Sequence, residues 1–193
     1  MCNDYEQHVT EAEYRKAIAA LELAAGDDAA LVAADDVRIG DFGPVLRATG
    51  NGVELVAMRF GFPPPRPKAG PIFNFKSDGR HFADSRRCVV VLSGFFEFTG
   101  TKYPKTKHRF ALKGAAVMGI AGLWSEDADG ALSFTMLTTE PGPDIAPVHD
   151  RQVCVLQPED WAAWLFLTKP EEELLRSLPA GTLVVEVVRE GKD

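Results

Sequence analysis

Cys88-Val89-Val90-Val91-Leu92-Ser93-Gly94-Phe95-Phe96-Glu97-Phe98 is the stretch from which the fold is read. Its first five residues have the unbroken, β-branched apolar character of a strand covered on both faces. Gly94 interrupts it, and Phe95 to Phe98 read as a second strand carrying one carboxylate among three phenylalanines. Outward from this pair the pattern stays that of short strands. On the N-terminal side, Pro44 to Arg47 and Val53 to Met58 flank the turn signal Gly50-Asn51-Gly52. On the C-terminal side come His108 to Leu112, Ala115 to Leu123 and Leu132 to Thr138, with Asp129-Gly130 as a hairpin turn. Val153 to Leu156 and a closing strand from Thr182 to Val188 complete the set.

Helices are expected at the periphery. Thr10 with Glu13 forms a capping box ahead of Tyr14, Ile18 and Leu21, with Gly26 as a left-handed stop, so a helix is expected over 11–25. Pro158 suits the first turn of a helix carrying Trp161, Trp164 and Leu165. Thr168 with Glu171 repeats the capping signature before Leu174, Leu175 and Leu178. Residues 30–34 are apolar but undecided. Phe62-Pro63-Pro64-Pro65-Arg66-Pro67 excludes both helix interior and central strand and reads as a stiff surface loop. With no internal repeat and no linker, the expectation is a single α+β domain over 1–193. Its sheet would be mainly antiparallel, curved or barrel-like, with peripheral helices.

A chain of 193 residues is large enough to bury about two-thirds of its unfolded surface. Forty-six per cent hydrophobic and 25% charged residues are ordinary for a soluble globular protein. No apolar run reaches membrane-spanning length, and the opening MCNDYEQHVT lacks the basic and apolar regions of a secretory signal. Three widely spaced cysteines, Cys2, Cys88 and Cys154, make neither a disulfide framework nor a zinc pattern, so a cytoplasmic setting is expected. The net charge of −7 speaks against nucleic acid, but its distribution does not. Between Arg59 and Lys113 stand twelve Lys or Arg and three Asp or Glu, a window of +9 in a chain whose remainder is −16. Such a window is either a phosphate-binding surface or a solvated basic face.

Four polar residues stand in apolar or constrained surroundings: Cys2, Asn74, Glu97 and His149. If Met1 is removed, Cys2 becomes a 1,2-aminothiol. Its α-amine, with an ordinary pKa near ~7.7–8.0, attacks an aldehyde to give an imine. The thiol then closes a thiazolidine ring. The alternative is a cysteine by accident in a frayed terminus. Glu97 is either desolvated, and so raised toward the acid–base range, or turned to water while Phe96 and Phe98 point inward. His149, in Pro147-Val148-His149-Asp150-Arg151, is a candidate proton shuttle or an ordinary exposed loop histidine. Asn74, between Phe73 and Phe75, orients a ligand or forms a turn.

Taken in order, Met-Cys, the Asn74 segment, Arg86-Arg87-Cys88, Gly94-Phe95-Phe96-Glu97 and Pro147-Val148-His149-Asp150-Arg151 resemble the SOS-response-associated peptidase (SRAP) family across nearly the whole chain. Ala121-Gly122-Leu123-Trp124, Leu137-Thr138-Thr139-Glu140-Pro141 and Pro158-Glu159-Asp160-Trp161 extend the likeness. The resemblance implies that Cys2 is the nucleophile that links covalently to the ring-opened aldehyde of an abasic site in single-stranded DNA. It implies that Asn74 positions the Cys2 amine and the sugar, and that Glu97 is the general acid/base of imine formation. His149 would assist ring opening. It also implies autocatalytic removal of Met1 and a place in the DNA-damage (SOS) response. DNA contacts are expected at Phe60, Gly61 and Phe62, and at Lys76, Ser77, Arg86 and Arg87. Phe60 and Phe62 could stack on a base or pack in the core. The chain departs from the family pattern with Asn3 and Asp4 in place of Gly-Arg, Lys76 for Arg, and Phe60 and Phe98 for Trp. These changes bear on DNA affinity more than on the crosslinking centre.

The expected partner is single-stranded DNA containing abasic sites. A cytoplasmic monomer, nucleoid-associated when bound to DNA, is expected, with no membrane and no metal or organic cofactor. Two rivals remain at this level. A thiol peptidase or amidase acting on other substrates would use the Cys2 thiolate with His149. A non-catalytic single-strand-binding module would use only the basic window.

Overall fold

The computed structural model describes residues 2–19, 21, 24–25, 33–50 and 52–193. The strands in chain order are β1 (Asp4–Gln7), β2 (Ala24–Ala25), β3 (Ala34–Arg38), β4 (Phe42–Ala48), β5 (Gly52–Phe60), β6 (Asn74–Lys76), β7 (Arg87–Leu92) and β8 (Gly94–Thr99). They continue as β9 (Thr106–Leu112), β10 (Met118–Glu126), β11 (Leu132–Thr139), β12 (Gln152–Val153), β13 (Val155–Leu156) and β14 (Leu183–Arg189). Helices α1 (Glu11–Ala19), α2 (Trp161–Phe166) and α3 (Glu171–Leu174) lie among them, α2 preceded by a 3₁₀ turn at Pro158–Asp160.

Two sheets share the strands. One is five-stranded, ordered β14-β9-β8-β1-β3, and antiparallel throughout. The other runs β12-β11-β10-β7-β4-β5-β2 and curls until β11 meets β5 in a parallel pairing, Phe134 opposite Phe60. That pairing closes β11, β10, β7, β4 and β5 into a barrel and removes the free edges an open sheet would present. The expected α+β class, with a mainly antiparallel, barrel-like sheet and few helices, is what the chain adopts.

β7 explains the closure. Val89 and Val91 join one core cluster, with Tyr14, Ile18, Trp161 and Trp164 from the helices. Cys88, Val90 and Leu92 join the other, with Tyr5, Phe60, Phe95, Phe110 and Phe134 between the sheets. Alternate side chains of one strand thus feed both cores, which is why its sequence is apolar without interruption. β10 has to come close to α2, and Gly119 makes room: a Cβ there would run into the Trp161 indole.

The Thr10–Glu13 capping box forms in both directions, with Thr10 N donating to Glu13 Oε2 (2.8 Å) and Glu13 N donating to Thr10 Oγ1 (3.2 Å). The helix is shorter than the expected 11–25: it ends at Ala19, and Ala24 and Ala25 pair with β5 instead. The expected stop at Gly26 lies outside the described residues, as do Asn51 of the 50–52 turn and residues 30–32 of the undecided stretch. The second capping box does not form. Pro170 precedes α3 without a side-chain cap. The Glu171 carboxylate instead accepts from Phe82 N (2.5 Å) and contacts His81 (3.1 Å), a longer-range choice that its spacing to Thr168 does not reveal.

Candidate functional site

β1 lies between β3 and β8, with Tyr5 opposite Phe95 and Glu6 opposite Gly94. The same register continued toward the N-terminus sets residue 3 opposite Glu97, so Cys2 arrives beside that carboxylate. Cys2 is fully buried, and its Sγ lies 3.4 Å from Asp4 O. Burial raises the thiol well above its ordinary pKa, and the nearby Glu97 charge adds to the rise. From β6, Asn74 Nδ2 donates to Cys2 O at 2.7 Å, fixing the residue from the barrel side.

Glu97 follows the inward face of β8 with Phe95, and Phe96 lies on the opposite face under the Lys107 ammonium, 3.6 Å from its centroid. The alternation that would turn Glu97 to water is therefore not the one adopted. With 1% of its surface exposed, Glu97 is desolvated, and this pushes its carboxyl up to about 7 from an ordinary 4.5. His149 Nε2 stands 3.9 Å from Glu97 Oε2, too far for a hydrogen bond yet close enough for both to reach one substrate oxygen. Arg151 N donates to His149 Nδ1 (3.0 Å), so the neutral ring carries its proton on Nε2, facing Glu97. Asp150 also lies 3.0 Å from Nδ1, and it can take a proton from that atom only when the ring is cationic. Burial lowers the histidine's pKa, which keeps the ring neutral at pH 7. Arg151 anchors this loop, donating to Asp78 (2.5 Å) and to Thr138 O (2.9 Å).

β1 is held by charge as well as by its ladder. Lys107 on β9 bridges Asp4 (2.9 Å) and Asp36, and Arg109 pairs with Glu6 and Glu186. Burial holds the Asp4 carboxyl above its ordinary value, while Asp36, though burial opposes it, is kept low by Lys107. Cutting one partner from a buried pair leaves an uncompensated charge. Lys107→Met is therefore expected to cost about 3–5 kcal/mol of stability. Urea unfolding at pH 8 measures it.

The structure brings Cys2, Asn74, Glu97 and His149 together. It does not treat the expected DNA contacts alike. Phe60 is fully buried and stacked on Phe134 at 5.1 Å, so it is core and no base can reach it. Phe62 is half-buried against the helix-side core, and the buried Gly61 turns with φ +97°. Arg87 spends its guanidinium on the carbonyls of Phe82, Ala83, Trp164 and Leu165, a structural brace rather than a phosphate fork. The buried Ser77 donates its hydroxyl to Thr138 O (2.9 Å) and is likewise structural. Lys76 and Arg86 remain exposed, Arg86 resting over Trp124 at 4.8 Å and 3.7 Å from Glu126. The exposed aromatic by the proline loop is Phe42, in a cleft of about 640 Å³ with Arg59 and Pro63.

Sequence reasoning missed the ion pairs that hold β1, and also Tyr103. The signal for Tyr103 was present in Lys102-Tyr103-Pro104-Lys105, an aromatic between lysines at a turn. A groove of about 650 Å³ leads from solvent to Glu97 and His149 past Asn3. Among the described residues, no group of three or more His, Cys, Asp or Glu is placed to hold a metal ion. No helix among them is long and apolar enough to cross a membrane.

A family model described as SOS response associated peptidase (SRAP) matches residues 1–190. The abasic site processing protein YMR114C of Saccharomyces cerevisiae is 31% identical over 101 residues, which are 49% of this chain and 27% of that protein. The abasic site processing protein YoqW of Bacillus subtilis is 29% identical over 100 residues, 49% of this chain and 44% of its own length. The matches thus span less than half of those relatives. A crystal structure of a protein from Bordetella bronchiseptica superposes with a TM-score of 0.74 at 25% identity, covering 97% of this chain and 100% of that one. A phage-related protein from the same organism superposes at 0.71 with 20% identity, covering 98% and 95%.

Proposed function

The chain belongs to the SOS response associated peptidase (SRAP) family, and from that premise we propose that it processes abasic sites in single-stranded DNA by linking Cys2 to them covalently. The observation that carries this reading is that Cys2, buried and held by Asn74, sits beside Glu97, whose carboxyl is pushed up to about 7 and which lines one groove with the neutral His149 imidazole. The curated relatives are named as abasic site processing proteins.

The steps follow from what each group offers. Met1 is first hydrolysed away, a step we assign to the chain itself, with Glu97 and His149 as the acid–base pair. His149 and Glu97 then move the protons that open the closed deoxyribose to its aldehyde. The freed Cys2 amine adds to the aldehyde carbon while Asn74 holds the Cys2 carbonyl. Protonated Glu97 gives its proton to the departing hydroxyl, water leaves, and the Glu97 carboxylate takes back the nitrogen's proton, so that an imine remains. Cys2 Sγ adds to the imine carbon, its proton passes to the nitrogen, and a thiazolidine closes. One water is released in all.

The thiol-peptidase reading loses support here. Such an enzyme needs a thiolate, and the Cys2 environment keeps the thiol protonated. Amine attack needs no thiolate. We propose further that the protein acts as a monomer on single strands within the DNA-damage response.

Mass spectrometry of the purified protein, before and after incubation with a single-stranded abasic oligonucleotide, tests the reading. The expected result is a mass lacking Met1, then a denaturation-resistant adduct equal to protein plus oligonucleotide minus one water. An unchanged protein mass after incubation overturns it.

A further inference from the structure

An abasic nucleotide has no base to recognise, so affinity for the strand must come from its neighbours. The groove lined by Glu97 and His149 is lined also by Tyr103 and Lys105, from the turn joining β8 to β9, and by Arg189 at the end of β14 beside that turn. Tyr103 is 83% exposed, so its ring is open to solvent where it borders the groove. We propose that this turn is a nucleotide-binding subsite, in which Tyr103 stacks on a base flanking the abasic position and Lys105 and Arg189 hold the adjoining phosphate.

Three observations carry the assignment. The first is continuity: the ring and the acid–base pair line one groove, so a strand placed with its sugar at Glu97 runs along the turn. The second is bracing. The Asp193 side-chain carboxylate accepts from Thr101 N (2.5 Å), Thr101 Oγ1 (2.8 Å) and Lys102 N (3.3 Å). Arg189 Nη2 donates to Lys105 O (3.2 Å), and Gly191 N donates to Thr106 Oγ1 (2.9 Å). Gly100 completes the turn at φ +100°, and a Cβ there would strike the Asp193 carboxylate. A ring presented on a turn held this way pays less ordering entropy when it is covered. The third is charge. The carboxylates that line the groove, Asp4 and Asp36, are bridged by Lys107 and do not neutralise Lys105 or Arg189, and the two bonds from Arg189 to Lys105 O use its Nε and Nη2 and leave its Nη1 edge for a phosphate. Ring and cations together match a single strand, whose bases offer π faces and whose phosphates offer charge.

The subsite rests on the DNA reading above, and the test separates the two. Fluorescence anisotropy is measured on a labelled single-stranded oligonucleotide with one central tetrahydrofuran residue, an abasic analogue without an aldehyde. Tyr103→Ala is expected to weaken binding roughly 5- to 100-fold, the equivalent of one lost base stack, with Tyr103→Trp restoring it. Lys105→Gln is expected to flatten the slope of log Kd against log salt by about 0.7. Both substitutions lie on an exposed turn, and circular dichroism confirms that each variant is folded. Folded Tyr103→Ala protein that binds the analogue as tightly as wild type overturns the subsite. Tyr103-dependent binding by a wild type that makes no adduct with true abasic DNA sinks the crosslinking chemistry and keeps the subsite. A wild type that does not bind the analogue overturns the subsite outright.

Discussion

Cys2→Ala protein loses the denaturation-resistant adduct with abasic single-stranded DNA. The loss is expected to be complete because the thiazolidine needs sulfur and nitrogen on one residue. The alanine variant still carries an α-amine once Met1 is gone, so its chemistry stops at the imine, which water reverses. Sodium borohydride reduces an imine to a stable amine. The variant is thus expected to give an adduct only when the reductant is present, whereas wild type gives one without it. Denaturing gels with and without borohydride distinguish the cases, and intact mass confirms that each protein begins at residue 2. A full adduct yield from Cys2→Ala without reductant would remove the 1,2-aminothiol from the mechanism.

Glu97→Gln is expected to slow adduct formation about 10²–10⁴-fold, the usual worth of a positioned acid–base group. It also changes the pH profile. In wild type the rate rises as the amine loses its proton, near ~7.7–8.0, and falls as Glu97 ionises, so it peaks between about 7 and 8. With glutamine the falling limb disappears and the rising limb stays. Stability moves the other way. The folded Glu97 carboxyl holds its proton up to about 7, against 4.5 when exposed. Below pH 4.5 both states are protonated and nothing changes. Between 4.5 and 7 the unfolded chain ionises first, so folding stability drains away as pH rises through the folded value. At full displacement the loss is about 3 kcal/mol, the free energy of moving the carboxyl's titration from 4.5 to about 7. Glutamine cannot ionise, so Glu97→Gln is expected to unfold at higher urea than wild type at pH 8 and to lose that advantage at pH 4.5. A variant that is slower and more stable at high pH identifies Glu97 as a group kept in a costly environment for its chemistry.

How far the site was legible depends on the kind of signal each residue leaves. Cys2 drew notice for a chemistry that needs no neighbours to be recognised, and the fold sets it beside Glu97. Glu97 was half legible. Three surrounding phenylalanines announced an apolar setting, but which face of β8 turns inward was decided by the partners that cover it, β1 on one edge and β9 on the other. Arg87 and Ser77 misled because a polar side chain looks the same whether it meets DNA or a neighbouring carbonyl. Only the placement of α2 against β7, and of Ser77 against β11, shows that their donors are already used. Phe60 misled in the same way, since the stacking on Phe134 that buries it joins residues 74 positions apart.

Local physics therefore reached the sequence directly. The apolar alternation of the strands, the Thr10–Glu13 cap and the proline loop each depend on a few adjacent residues, and each was readable in order. Distances along the chain say nothing about which strands close a barrel. The parallel meeting of β5 with β11, the Lys107 bridge across Asp4 and Asp36, and the exposure of Tyr103 beside the groove lined by Glu97 and His149 were settled by tertiary packing alone. Burial, ion pairing and groove shape are sums over partners distant in sequence, and those partners become neighbours only when the chain is folded.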